Sequence, residues 1–325
     1  MNEIIGNETA LRYIKEAVSE NRILGTYLLE GAAGTGKLLL ARYFAASVLC
    51  NGSDTAVPCK QCSVCERIFS GLHPDVCELT ADDEKNQITV DEIREMVLSA
   101  QLTPTESDHK FYIIRPADKM NQQAQNALLK GIEEPPANVT YFLLADDVTA
   151  LLPTVISRAY KIKTEELSID EIQDSLSFEF PDESKENIKF ASLLSSGSLG
   201  KAKLLLNDKE MTDARNTALS FMEAFSKGYD PISRSRFFAA GQRKDSMMLL
   251  LSMINLAARD VLAIKYASEA TELMIYGSVN EVLKIANNSN GKAVAKLFDT
   301  TSELLRASNR NVNVTCASSV INTLM

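Results

Sequence analysis

The narrowest constraint on the fold is the run GAAGTGK at residues 31–37. It fits G-x-x-x-x-G-K, in which backbone N–H groups wrap a β-phosphate and the lysine neutralises charge on the β- and γ-phosphates. Such a loop needs a strand before it and a helix after it. The apolar run TYLLE (26–30) precedes it and the helical pattern KLLLARYFAASVL (37–49) follows. Gly31, Gly34, Thr35, Gly36 and Lys37 are therefore expected to form a phosphate loop in an α/β domain.

Fold and activity separate at the next residue. In hydrolysing proteins of this kind a serine or threonine after the lysine coordinates Mg²⁺, and an acidic residue ending a later strand holds the same ion. Leu38 has no oxygen to offer. The later strand, KFYIIR (110–115), ends on Arg115 and Pro116, where a metal-binding aspartate and a water-activating glutamate would stand. A cation there repels Mg²⁺ and proline cannot polarise a water. Asp118, three residues on, is expected to cap the next turn. No Mg²⁺ site is expected, and any binding of ATP or ADP is expected to be passive. Arg115 is expected to place its guanidinium near the loop, in the electrostatic role of the missing metal.

Short β-rich runs alternate with helical patterns up to about residue 165, which favours a mainly parallel sheet. Strands are expected at TYLLE, VCEL (76–79), KFYIIR, TYFLLA (140–145) and a short fifth near AYKIK (159–163). Thr89 and Glu92, and Ser168 and Glu171, have the spacing of capping boxes. Pro135 and Pro136 should end the helix that starts near Asn121, since proline lacks the donor and disfavours helix in the residue before it. Between 166 and 207 the strand signal vanishes and two helical stretches flank SSGSLG, as in a small helical lid. From 208 to 325 the pattern is helical. The apolar density of MMLLLSMINLAARDVLAIKYA (247–267) fits either partner contact or burial within its own bundle. At 325 residues, two or three domains are expected.

The cysteines at 50, 59, 62 and 65 read C-x₈-C-x₂-C-x₂-C, a spacing that can close a tetrahedral Zn²⁺ shell. Such a closed site is structural. Cys77 and Cys316 are expected in the core. His73, in GLHPD, could replace a ligand, although the proline after it favours a structural turn. With no basic leader before an apolar core at the start, the chain is expected to be cytoplasmic, with no membrane partner.

A net charge of −9 argues against a protein that coats DNA, because duplex affinity comes largely from many basic contacts to phosphate. Residues 201–325 carry 16 basic and 12 acidic side chains, so the acidic excess lies in the first 200. A DNA-binding zinc module acting alone is correspondingly disfavoured.

The run KFYIIRPADKMNQQAQNALLKGIEEPPANVTYFLLADDVTALLPTVISRAYK (110–161) resembles the AAA+ clamp-loader family of bacterial DNA polymerase III. There a strand and DEAD-like box lead into an NALLK-x-LEEPP helix and then LLPT-x-x-SR. With the phosphate loop and the cysteines, the likeness covers residues 1 to about 207.

The resemblance implies an AAA+ core over 1–165 with a zinc-binding insertion at 50–65. A helical lid over 166–207 and a helical oligomerisation domain over 208–325 would complete the chain. It implies a five-membered ring with gamma/tau and delta subunits, which uses ATP to place a sliding clamp on primer–template DNA. Ser157 and Arg158 match the family's SR-C motif, whose arginine reaches a neighbour's γ-phosphate while the serine supports it; Ala159 replaces the cysteine.

The lid run GSLGKA (197–202) resembles G-S-x-R-x-A, with Gly200 where an arginine would sense the subunit's own nucleotide. Lys201 is a poor substitute, pointing about 100° away on a helix. Ala145, Asp146 and Asp147 stand where a polar sensor is expected, and the two carboxylates would repel a triphosphate unless turned away. Two functions remain: a non-hydrolysing subunit that lends Arg158 to a neighbour, or an active ATPase of the gamma/tau type.

Overall fold

The computed structural model describes residues 4–52, 58–81, 87–228, 244–266 and 273–308. The backbone separates into two compact units. The first holds the chain up to Glu171 together with Gly197–Lys201, and the second holds Ile172–Ser196 and the chain from Ala202 onward.

In the first unit each apolar run is a strand: β1 (Thr26–Glu30), β2 (Val76–Thr80), β3 (Lys110–Arg115), β4 (Val139–Ala145) and β5 (Tyr160–Lys163). They pair in parallel in the order β2-β3-β4-β1-β5. Parallel neighbours need crossovers, supplied by helices that cover both faces. The helices are α1 (Glu8–Ser19), α2 (Lys37–Leu49), α3 (Ser63–Ser70), α4 (Val90–Ser99) and α5 (Gln122–Ile132), with the short α6 (Pro153–Ile156) before β5.

Because side chains alternate along a strand, the sheet carries two cores. On one face Tyr27, Phe142 and Phe111 stack at 5.5 and 5.8 Å between ring centroids, packed with α1, α2 and α3. On the other, Tyr112 and Tyr141 stack at 5.5 Å among residues of α4 and α5. The carboxyl ends of the strands thus bring the phosphate loop, Arg115, Asp146 and Thr164 to one edge of the sheet, where α/β proteins place ligand sites.

Both capping boxes form. Thr89 N–H donates to Glu92 at 2.7 Å and Glu92 N–H returns to Thr89 Oγ1 at 3.4 Å; the Ser168 and Glu171 pair does the same at 2.8 and 3.3 Å. Asn121 caps α5, which stops at Ile132 ahead of the two prolines. Three elements differ from expectation. SSGSLG follows two helices rather than one, α7 (Ile169–Glu179) and α8 (Lys185–Leu194), and precedes α9 (Leu199–Asn207). Cys77 is exposed, because β2 is an edge strand whose alternation buries Val76 and turns Cys77 outward. Asp118 caps no turn; its carboxylate accepts the N–H of Asp146 at 2.9 Å. Cys316 lies outside the described residues.

The second unit contains α10 (Lys209–Ser226), α11 (Lys244–Tyr266), α12 (Val279–Asn288) and α13 (Gly291–Ser308). Its core joins Phe190 of α8 to Phe221 of α10, Leu251, Ile254 and Val261 of α11, and Val294 of α13. Residues 246–266 have a mean hydropathy of 1.7, enough by length and composition to cross a membrane, but half of that stretch is buried among these helices. Its apolar density is therefore that of a helix inside its own bundle.

One buried carboxylate fixes the approach to the sheet. Asp75 is fully buried before β2 and accepts N–H bonds from Thr105, Glu106 and Ser107 at 2.6, 2.9 and 3.0 Å and the Ser107 hydroxyl at 2.7 Å. Burial pushes its pKa up, but these donors outweigh burial and bring it from 3.8 down to about 2. A depressed folded pKa stabilises the protein above the unfolded value, and this contribution is lost as pH falls from about 4 to about 2. Asp75→Ala should cost about 2–4 kcal/mol by stranding three N–H groups, and should flatten the stability profile in that acid window. Urea denaturation at pH 7 and pH 3 measures both; equal midpoints for variant and wild type at pH 7 would refute the assignment.

Candidate functional site

The phosphate loop turns on left-handed glycines, with φ of 78° at Gly34 and 91° at Gly36. It leads directly into α2, whose first residue is Lys37. Lys37 is 8% exposed. Its ammonium donates to Gly31 O at 2.6 Å and Ala32 O at 2.8 Å, and pairs with Asp146 Oδ1 at 2.6 Å. A lysine has three N–H donors, and all three are used within the protein. Asp146, far from repelling charge at this spot, neutralises it. Asp147 turns the other way and caps Thr149.

Thr35 is held by its neighbours. Its hydroxyl lies 2.7 Å from the Thr164 hydroxyl and 2.8 Å from Ala32 O, and its carbonyl accepts from Asn7 Nδ2 at 3.3 Å.

The rim of the loop is covered by residues 198–200. Ser198 Oγ donates to Ala33 O at 2.8 Å, and Gly200 N–H donates to Gly34 O at 3.0 Å. A Cβ at Gly200 would stand 2.8 Å from Gly34 Cα and 2.9 Å from Gly34 O; one at Gly34 would stand 2.4 Å from Ser198 Oγ. The backbones meet because both residues are glycine. An arginine at 200 could not occupy this place without displacing the phosphate loop.

Beside the loop is a cleft of about 440 Å³ lined by Gly34, Gly36, Lys37, Arg42, Arg115 and Asp146. Arg115 therefore does lie near the loop. Its charge is shared with Glu78, whose Oε2 is 3.4 Å from Arg115 Nε while its Oε1 accepts Arg42 Nε at 2.6 Å. Leu38 and Pro116 also line this cleft, with no oxygen for a metal in their side chains.

A second cavity of about 650 Å³ opens on the other side of Gly31 and Ala32. Tyr13 and Tyr160 line it, stacked at 4.6 Å with ring planes 13° apart. Nothing in the motif announced this pair, because Tyr13 belongs to α1 and Tyr160 to β5.

Arg158 lies in the turn between α6 and β5. Its Nη1 donates to Thr154 O at 2.9 Å and its Nη2 pairs with Glu133 Oε1 at 3.0 Å. The Arg158 side chain is 38% exposed, and Ser157 beside it donates its hydroxyl to Thr154 O at 3.1 Å. Gln125 of α5, buried, fixes this arm. Its Oε1 accepts Leu152 N–H at 2.6 Å, and its Nε2 donates to Ala150 O and Met120 O at 3.0 Å each. The role of Gln125 is invisible in sequence because its polar group faces inward on a helix that otherwise reads as amphipathic.

The four cysteine sulfurs come together within 4.8 Å of one another. The Cys50–Cys62 and Cys59–Cys65 separations are 3.9 and 4.0 Å, close to the roughly 3.8 Å edge of a tetrahedron with Zn–S bonds of about 2.3 Å. Lys60 takes a left-handed φ of 58°, turning the chain so that Cys62 N–H points at Cys59 Sγ at 3.4 Å. Cys62 then caps α3, accepting from Cys65 N–H. Backbone N–H bonds from Gln61 and Cys62 draw the Cys59 thiol down to about 6, while burial pushes Cys65 up. Electron-rich sulfurs held by backbone donors fit a Zn²⁺ ion. His73 is not part of this cluster: its Nδ1 accepts Asp75 N–H at 3.2 Å, and burial lowers its pKa.

Residues 6–168 match the family described as DNA polymerase III, delta subunit. The delta' subunit of Bacillus subtilis is 29% identical over 327 residues, covering 97% of this chain and 94% of that one. The delta' subunit of Pseudomonas aeruginosa is 34% identical over 172 residues, or 53% of this chain and 52% of its own. The gamma subunit of Buchnera aphidicola is 36% identical over 170 residues, or 52% and 46%. The match thus spans about half the length of the latter two relatives. Since the family match covers half of the sequence, the chain belongs to the DNA polymerase III delta subunit family.

Proposed function

We propose that this chain is the delta prime subunit of a bacterial clamp loader, a cytoplasmic protein that hydrolyses no ATP itself and lends Arg158 to a neighbouring ATPase subunit. Its partners are gamma/tau and delta subunits in a hetero-pentamer, which loads the sliding clamp on primer–template DNA. The observation that carries this reading is the engagement of Lys37: its three donors are met by Gly31 O, Ala32 O and Asp146, so a phosphate would have to displace one of them. Leu38, Arg115 and Pro116 offer no side-chain oxygen to Mg²⁺ or to an attacking water at the positions where hydrolysing relatives would place one. Any nucleotide bound beside the loop would be held passively. Zinc, held by four cysteines, has a closed shell and a structural role.

The alternative is an active ATPase of the gamma/tau type, favoured by the likeness to the Buchnera gamma subunit. Steady-state assays of the purified chain separate the two. The expected result is no turnover above background, with Lys37→Ala indistinguishable from wild type. Turnover abolished by Lys37→Ala would establish the alternative.

A further inference from the structure

Arg158 does not stand free in solvent. Its guanidinium is fixed at two points, Nη1 on Thr154 O and Nη2 on Glu133 Oε1, and each anchor sits on a well-held segment. Glu133 closes the end of α5, where its N–H donates to Leu129 O at 3.0 Å. The turn that follows is locked by Pro135, packed so tightly on Gly25 that a Cβ there would lie 2.2 Å from Pro135 Cγ. On the other side Arg158 N–H donates to Val155 O at 3.2 Å, and Gln125 holds Leu152. A guanidinium has five donors, and the two anchors use two of them, leaving three to meet an oxyanion.

We infer that Glu133 is a positioning residue for the Arg158 finger, presetting the guanidinium before a neighbouring subunit's phosphate arrives. This rests on Arg158 acting as a finger. A long side chain that must be immobilised during docking loses rotamer entropy, and an anchor that imposes the geometry beforehand removes that loss from the reacting complex. An exposed ion pair contributes little to stability, so the consequence lies in turnover rather than in folding.

The test is a loader reconstituted with wild-type chain, Glu133→Ala, Glu133→Gln, Glu133→Lys, Arg158→Ala and the Glu133→Ala/Arg158→Ala double variant. Clamp-stimulated kcat and KM for ATP are read in each. Glu133→Ala should lower kcat about three- to tenfold with little change in KM and in melting temperature, the scale of one side chain's ordering. Glu133→Gln keeps an acceptor oxygen and should restore most of the loss. Glu133→Lys repels the guanidinium and should lose more than alanine. In the Arg158→Ala background the loss from Glu133→Ala should disappear. If Arg158→Ala is strongly impaired while Glu133→Ala and Glu133→Lys turn over like wild type, the ion pair is incidental and the inference fails with the finger intact. If Arg158→Ala itself is unchanged, the finger reading falls and takes this one with it.

Discussion

Arg158→Ala should lower clamp-stimulated ATP hydrolysis at the adjoining site of the reconstituted loader by about 10³-fold, the scale on which an arginine finger acts in phosphoryl transfer. In that role the guanidinium would supply fixed positive charge where charge spreads over the transferring phosphate. Its location makes the test clean. Arg158 is outside the core, 38% exposed, so alanine should leave the fold and the melting temperature unchanged. Arg158→Lys keeps a charge but loses the planar fork, and should recover only part of the rate. Lys37→Ala in the same ring is the contrast, because an ammonium already committed to Gly31 O, Ala32 O and Asp146 has no phosphate to release. A deep loss in one variant and none in the other is the signature of a subunit that acts only in trans. Unchanged turnover in Arg158→Ala would remove that mechanism while leaving the architecture untouched.

Much of the first unit was legible because its signals are local. Apolar runs bounded by turns became strands, Thr89 and Ser168 capped the helices they precede, and four closely spaced cysteines met. What stayed hidden was how distant segments close on the loop. The sequence around Asp146 suggested repulsion of a nucleotide, but β4 delivers that carboxylate to Lys37, which reverses its meaning. Gly200 read as the loss of a sensing arginine; packing adds that the backbone of Gly34 leaves no room for one. Cys77 was misplaced because a four-residue apolar run does not say whether its strand is central or at an edge. Glu133 looked like part of a shared motif, and its pairing with Arg158 depends on where α6 returns relative to α5. For Asp146, Gly200 and Glu133 the local pattern was correct and the role of the residue was set by a partner remote in sequence.

If the four cysteines hold zinc as proposed, its removal should be the largest perturbation of stability. The cysteine cluster is joined to the main core through α3, whose Cys65 and Ile68 are buried in the same cluster as Phe44 and Phe111. Without a metal, four sulfurs within 4.8 Å repel as thiolates or, as neutral thiols, have no ion to hold them together, and α3 loses the anchor at its N-terminus. Structural zinc in small modules is worth on the order of 10 kcal/mol. Even partial coupling to the rest of this unit should lower its melting temperature by at least about 10 °C on chelation. Cys59→Ser and Cys62→Ser should reproduce the loss and abolish a stoichiometry of one zinc per chain, while Cys77→Ser, exposed and outside the cluster, should do neither. Metal analysis and calorimetry on the same samples decide the matter. Purified chain that holds no zinc, with Cys62→Ser melting alongside wild type, would make the cluster a set of reduced thiols packed by backbone donors alone. The opposite result would mean that the insertion depends on its metal, and that α3 reaches the sheet as a metal-held extension of α2.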